Sequence, residues 1–382
     1  MTNGKKDILI ITGRYLPGYK DGGPVRTIKN LTDYLGNEYN FKVLTADRDH
    51  GDLVPYSGIK INDWNRVGNA EVFYVSKGKF SFKSITTQAK HADLVYICGC
   101  FNDYSFITLF ANRIGQIKVP VVVAAMGLFS PLEFKRKYIK KKLYTVALNK
   151  LGFFKTVFWS ATSEMEINEI LQQVDASREQ FYVAQDLPRQ IDLEHINKRK
   201  TQNQLEVVWI SRISHKKNLI GAIDILMRVK CRVHFTILGP EHDSEYWRSC
   251  QNRLKELPSN VLWEYKGDID TEKVIQTLIN YHVFLFPTLG ENYGHVIHEA
   301  LCAGCPCVIS DKTPWQELEE YQAGYVLPLD QKDRFAAAID HYAEMTEKEF
   351  QQVSTAAYAY AVRVSNEAFK STGYRIMFNS IL

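Results

Sequence analysis

No apolar run in this chain of 382 residues approaches the length that would carry it across a bilayer. The opening passes from Lys5-Lys6 straight into Ile8 to Ile11, too short for the apolar region of a secretion signal and with no small-residue cleavage site behind it. Cysteine is scarce and odd in number, seven in all, and mostly placed inside apolar strand or helix patterns. That argues against a disulfide framework and suits a reducing compartment. Net charge is only +4, too little to make nucleic acid the main partner. No tract is compositionally biased, and 45% hydrophobic with 24% charged residues is ordinary for a globular protein. The expectation is a cytoplasmic protein, too long for one core and built as two domains.

What is present is an alternation of apolar strands and helices. Asp7 to Thr12, Phe41 to Ala46, Glu71 to Val75, Leu94 to Cys98, Val119 to Ala125, Thr156 to Ala161 and Phe181 to Ala184 read as strands. Helical spacing marks Val25, Ile28, Leu31 and Leu35, then residues 85–91 and 104–114. Ser163 and Glu166 have the spacing of a capping box. A polar run from Asp192 to Gln204 breaks the rhythm, which restarts with strands at 205–210, 233–238, 261–265 and 282–286. Strands apolar throughout, alternating with helices, predict parallel sheets covered on both faces. The expected division is a first domain at 1–190 completed by a helix over 365–382, a linker at 191–204 and a second domain at 205–364. Two Rossmann-like α/β domains facing a cleft bind ligands at the carboxyl ends of their strands.

The densest chemistry lies between Phe286 and Trp315, F-P-T-L-G-E-N-Y-G-H-V-I-H-E-A-L-C-A-G-C-P-C-V-I-S-D-K-T-P-W. A strand, a glycine-bearing loop, a helix stopped at Gly304 and a second strand follow one another. Glu291 stands at the mouth of the helix and Glu299 about two turns along it. Free N–H groups and the dipole at such a mouth favour phosphate, and the backbone at Tyr293, Gly294 and His295 can offer them. Carboxylates beside a phosphate site grip hydroxyls, so the pattern predicts a nucleotide-sugar. The helix around Glu299 is apolar, and a buried carboxylate demands a ligand or a cation. In S-R-I-S-H-K-K-N, Arg212 and Lys217 flank a loop at a strand end where a diphosphate can sit. Gly22 and Gly23, ahead of Pro24, permit close backbone approach to a phosphate, although no dinucleotide fingerprint follows the first strand.

The run E-N-Y-G-H-V-I-H-E-A-L-C-A-G-C-P-C-V-I-S resembles the Glu-x7-Glu motif of retaining glycosyltransferases of family four, which have the GT-B fold. D-G-G-P-V-R-T-I-K-N-L, R-I-S-H-K-K-N and T-P-W match further family features, and the last resembles the branch that builds bacterial surface polysaccharides such as capsule, O-antigen or exopolysaccharide. The resemblance implies an enzyme that moves a sugar from a UDP- or GDP-linked donor to a saccharide or lipid-linked saccharide, with retention and without metal or other cofactor. It implies Glu291, Arg212 and Lys217 as catalytic residues. Glu291 and the backbone of Asn292, Tyr293 and Gly294 would hold the donor sugar, Glu299 the ribose, Arg212 and Lys217 the diphosphate. Gly22 and Gly23 would line the phosphate side, with Gly239 and Ile269 near the base. Two family features are missing: A-A-M-G-L-F-S-P carries no histidine, leaving Gly127 or its neighbours to contact by backbone, and V-A-Q-D-L-P stands where P-N-G often does. An epimerase of the same fold and a non-catalytic nucleotide-sugar-binding subunit are the alternatives.

Four patterns attract attention for other reasons. Cys302, Cys305 and Cys307 have no second pair to complete a zinc site and are expected in the core. Asp268-x-Asp270 is expected to be a loop and helix cap, and His298 a satisfied histidine rather than a catalyst. The stretch from Leu132 to Tyr144, L-E-F-K-R-K-Y-I-K-K-K-L-Y, gathers six cations among apolar residues. Its composition suits either a solvated helix face or a helix docked on the anionic inner face of a membrane.

Overall fold

The unbroken apolar runs become strands buried on both faces. The computed structural model describes residues 4–190, 197–241 and 243–382, and the chain divides into Met1–Leu187 with Ala368–Leu382, and Pro188–Glu367. In the first unit, β1 (Asp7–Ile11), β2 (Asn40–Ala46), β3 (Trp64–Val67), β4 (Ala70–Val75), β5 (Leu94–Cys98), β6 (Val121–Ala124), β7 (Phe158–Ala161) and β8 (Phe181–Val183) form one sheet. Its order is β3-β4-β2-β1-β5-β6-β7-β8. Every pairing is parallel except β3 with β4. The helices are α1 (Gly23–Leu35), α2 (Phe82–Ala89), α3 (Asp103–Arg113), α4 (Pro131–Lys135), α5 (Tyr138–Lys150) and α6 (Glu164–Leu171). Successive strand residues point to opposite faces. Leu9 and Ile11 join the core under α2, α3, α5 and α6, whereas Ile8 and Ile10 join the core under α1.

The second unit repeats the plan. Strands β9 (Gln204–Ile210), β10 (Arg232–Leu238), β11 (Val261–Tyr265), β12 (Val283–Phe286), β13 (Cys307–Ser310) and β14 (Gly324–Leu327) lie in the order β11-β10-β9-β12-β13-β14, all parallel. Around them pack α7 (Leu219–Leu226), α8 (Ser244–Leu254), α9 (Val274–Leu278), α10 (His295–Cys302), α11 (Lys332–Glu344) and α12 (Glu347–Lys370). Strand order reverses between β9 and β12: from β9 the chain steps outward one way to β10 and β11, and from β12 the other way to β13 and β14. The loops leaving β9 and β12 therefore diverge and open a crevice at the carboxyl end of the sheet.

The structure corrects three expectations of chain course and adds a strand to the second sheet. The first sheet is not wholly parallel, because the short, half-buried β3 forms an antiparallel edge. The strand β14 follows the T-P-W segment. Of the expected linker, residues 191–196 lie outside the described residues, and 197–203 are tied to the second unit. Buried Lys198 donates to the carbonyls of Leu278, Ile279 and Tyr281 at 3.2, 2.9 and 2.6 Å, and buried Lys200 to Ala343 and Met345 at 2.7 and 2.6 Å. Carbonyls left open at helix C-termini attract such cations. No helix begins at 365, since α12 runs unbroken through that point to Lys370, and a new helix, α13 (Gly373–Ile381), starts after Thr372 caps it.

Helix α13 belongs to the first unit, where Tyr374, Met377 and Phe378 are buried in the core shared with α1. Arg375 fixes it further through a two-pronged pair with Glu38, 2.8 and 2.7 Å. The close approach requires Gly373, because a Cβ there would lie 2.1 Å from the Val183 carbonyl oxygen. Gly373→Ala is expected to cost about 1–3 kcal/mol through this clash, read as a lower urea midpoint. An unchanged midpoint would show that α13 does not need the contact.

Candidate functional site

The crevice in the second unit is lined by loops that hold one another by backbone bonds. After β9, Ser211 N–H donates to Leu238 O at 3.1 Å and Ile213 N–H to Pro240 O at 2.9 Å, joining this loop to the end of β10. Gly239 N–H donates to Gly267 O at 2.7 Å, carrying the connection to the end of β11. Gly239 is required twice over: its φ is +123°, and a Cβ would fall 2.1 Å from Ser211 O. On the other side Leu289 N–H donates to Lys216 O at 2.9 Å, and Asn218 Nδ2 to Pro287 O at 2.8 Å. Glu291 N–H donates to Lys312 O beyond β13 at 3.0 Å. Asn218 also caps α7, its side chain accepting from Gly221 N–H.

Within this frame Lys217 Nζ lies 2.6 Å from Glu291 Oε1, an ion pair with 16% and 9% of the two side chains exposed. It spans the reversal point, one partner following β9 and the other β12. Thr288 Oγ1 donates to the same Glu291 oxygen at 3.0 Å. Burial pulls the Lys217 ammonium below its ordinary pKa; Glu291 opposes this, and the charges of Lys216 and Arg212 add to it. Arg212 is half-buried and has no ion pair among the described residues. The arrangement is a largely dry cationic site, one charge answered by a carboxylate and the other open to an anion.

Helix α10 begins at the same place. Gly294, its N-cap, has φ +82°, and a Cβ would meet Ile297 at 2.9 Å and the Glu291 Cγ at 3.4 Å. Tyr293 is fixed by Trp315, whose Nε1 donates to the Tyr293 carbonyl at 2.5 Å while the rings lie edge to face at 5.3 Å. Asn292 is half-buried. Glu299 is 2% exposed on a helix buried along its whole length. Because α10 starts at His295, Glu299 stands about one turn in, not two. Ile269 is half-buried and packs against the core, its N–H donating to Asp268 Oδ1 at 2.8 Å.

The structure thus places Arg212, Lys217, Gly239, Ile269, Glu291, Asn292, Tyr293, Gly294 and Glu299 in the second unit, and joins Lys217 directly to Glu291. Gly22 and Gly23 belong to the first unit at the start of α1, where a Cβ on either would meet nothing within 4 Å. Their loop is held by buried Asp49, which accepts from Tyr19 N–H at 2.8 Å and Lys20 N–H at 3.2 Å. The backbone role expected of Gly127 changes: its N–H already donates to Glu166 at 2.5 Å. Glu166 also accepts from the Thr162 N–H and hydroxyl at 2.7 and 2.8 Å, so the expected capping box is only half formed, by Ser163. Thr288, Asn218 and Trp315 acquire their roles only through contacts across the sheet. Their local signals are Asn218 ahead of an apolar helix and Trp315 within the T-P-W segment.

The distracting patterns resolve as packing. The sulfur of Cys305 donates to the Leu278 and Tyr281 carbonyls, both at 3.1 Å. Burial, and then the charge of Glu299, push the Cys302 thiol up. Asp270 caps the turn Thr271–Lys273.

Residues 190–359, almost all of the second unit, match the family model described as glycosyl transferases group 1. No curated protein matches the chain. Among solved structures, HepE of Anabaena in complex with UDP and glucose is 17% identical, with a TM-score of 0.65 over 96% of this chain and 98% of that one. WaaG, a glycosyltransferase involved in lipopolysaccharide biosynthesis, is 13% identical with a TM-score of 0.65, over 95% and 98%. Sucrose-phosphate synthase from Thermosynechococcus elongatus is 14% identical with a TM-score of 0.63, over 98% and 100%. These likenesses establish a GT-B fold, and the family match supports a group 1 glycosyltransferase.

His298, beside Glu299 on α10, is 1% exposed, with Nε2 3.0 Å from Ser365 Oγ. Burial pushes its pKa from the ordinary 6.5 to about 4. The unfolded chain therefore takes up a proton as pH falls below 6.5 while the folded unit stays neutral until about 4, so stability present above 6.5 is lost across that window. The loss is on the order of 3 kcal/mol. His298→Gln, which can keep the bond to Ser365, should flatten the acid side of a melting-temperature profile, and an unaltered profile would remove His298 as its cause.

Proposed function

We propose that this GT-B chain transfers a sugar from a nucleotide-sugar to a saccharide or lipid-linked saccharide acceptor, with retention of configuration. The observation that carries the proposal is the Lys217–Glu291 pair across the strand-order reversal, with Arg212 beside it. A donor diphosphate is the anion that fits an unpaired guanidinium and a desolvated ammonium at once. Glu291, backed by Thr288, takes hydroxyls of the transferred sugar, and Glu299 those of the ribose. The backbone at Asn292–Gly294 approaches the sugar, and Gly239 and Ile269 the base. UDP is the nucleotide to test first, because HepE is similar in fold and was solved with UDP-glucose. The T-P-W segment and the fold shared with WaaG favour surface polysaccharide as the product class, made at the cytoplasmic side of the membrane.

Retention follows from front-side displacement. The bond from the anomeric carbon to the diphosphate oxygen breaks, and the acceptor oxygen bonds to the same face of that carbon. The acceptor proton passes to the departing phosphate oxygen, whose growing charge Arg212 and Lys217 neutralise. No metal is assigned a part. Interactions aimed at charge that develops only in the transition state raise the rate directly.

Glu291→Gln and Lys217→Ala should each lower transfer at least about a hundredfold, the scale of losing one such stabilising group, with circular dichroism and thermal melting near wild type. Near-normal transfer in both variants would overturn the assignment. Donor incubated alone that turns into an epimer would make the chain an isomerase instead.

A further inference from the structure

One face of the first unit is neither core nor part of the site. On α5, Ile139, Leu143 and Val146 point outward, 72%, 66% and 37% exposed, at the spacing of a single helical stripe. On the neighbouring α3, Phe106, Phe110 and Ile114 do the same at 43%, 40% and 49%. The helices that carry them touch: Phe106 lies 6.4 Å from the ring of half-buried Tyr144 on α5 and 6.3 Å from Phe110, which continues to Phe82 of α2 at 6.2 Å. Arg113 Nε donates to Leu151 O at 3.0 Å, fixing the end of α3 against the end of α5, where Leu151 is 59% exposed. Single exposed apolar residues need no explanation, but outward stripes on neighbouring, touching helices do.

The charge around this face is one-sided. Residues 131–155 hold eight Lys or Arg against one Glu, a net +7, while the whole chain carries +4, so everything else sums to −3. Lys137, Lys140 and Lys150 are exposed and have no ion pair among the described residues. Lys141 and Lys142 are half-buried, and Lys141 is the more enclosed by its contacts. It turns inward, donating to Glu133 O at 2.7 Å and lying 5.1 Å from the Phe101 ring, and burial lowers its pKa. The helix therefore splits its cations: Lys141 stitches α5 to α4, half-buried Lys142 donates to Gln173 Oε1 at 2.9 Å, and Lys140 and Lys150 face out with Lys137 at its start.

We propose that the face formed by α2, α3 and α5 docks on an anionic lipid bilayer, its apolar side chains entering the boundary of headgroups and acyl chains and its lysines meeting lipid phosphates. A second copy of the chain is a poor occupant, since a symmetric contact through this face sets lysine against lysine. A bilayer supplies both the apolar depth and the opposite charge. The proposal does not rest on the transferase assignment, because none of these residues belongs to the site in the second unit.

The test is co-sedimentation of the full chain with vesicles of phosphatidylcholine alone, or with phosphatidylglycerol added, at low and high salt. The expected result is binding only with phosphatidylglycerol, released by salt. Lys137→Glu, Lys140→Glu and Lys150→Glu together should reduce it at least about tenfold. Ile139→Ser with Leu143→Ser should weaken binding while leaving its salt dependence, and melting should be unchanged because all five positions are exposed. Equal binding to neutral vesicles, or binding unaffected by both variants, would overturn the proposal. So would light scattering that shows a dimer dissolved by Ile139→Ser/Leu143→Ser in a chain that ignores vesicles. An inactive chain that still sediments with anionic vesicles would leave this proposal standing, and an active chain that does not would leave the transferase assignment standing.

Discussion

A lysine and a glutamate cannot be held close and nearly dry without a frame that meets their remaining needs. Between Lys217 and Glu291 that frame is the sheet itself. Burying two opposite charges forfeits solvation that their attraction only partly returns, and removing either leaves the other stranded. The strand order β10-β9-β12-β13 makes the pairing possible, because the loops after β9 and β12 are neighbours that leave in opposite directions. The parallel register pairing Val207 with Val283 and Phe284 with Cys307 sets their heights. A slip of one residue would turn alternate side chains to the wrong face and part the pair. Thr288, Lys216 and Lys312 then bind loop to loop, so the charged site inherits the rigidity of the apolar core beneath it.

Much of this was legible in the sequence, for identifiable reasons. Strands such as Val283–Phe286 are apolar at every position because helices cover both faces, and continuous apolar runs are easy to see. Glu291, Gly294 and Glu299 stand out because polar and glycine residues interrupt an otherwise buried stretch. What escaped notice depends on contacts remote in sequence. Nothing local marks Glu166 as the acceptor for Gly127, or Lys198 as the cap of α9. Strand β3 is short and half-buried, so its pattern is weak. The expected helix start at Ser365 failed because that serine reaches back to His298 from within a continuous helix, whereas the true break waits for Ser371-Thr372-Gly373.

The chain separates its electrostatics by unit. In the second, the cations of the crevice, Arg212 and Lys217, are half-buried or buried, which favours selectivity for a particular anion. In the first, cations are many, exposed and spread beside apolar side chains, which favours a broad anionic surface. Sheltered charges keep their strength in salt and exposed ones lose it, so the two behaviours separate in solution.

The central claim is that Arg212 and Lys217 together recognise a diphosphate. Calorimetric titration of the full chain with a nucleoside diphosphate and the matching monophosphate tests it most directly. Each charge-assisted bond is worth about 1.5–3 kcal/mol, so the diphosphate should bind at least about tenfold more tightly, and Arg212→Ala/Lys217→Ala should abolish that difference while monophosphate affinity changes little. Equal affinity for the two nucleotides in the wild-type chain, or a preference that survives in the double variant, would contradict the account.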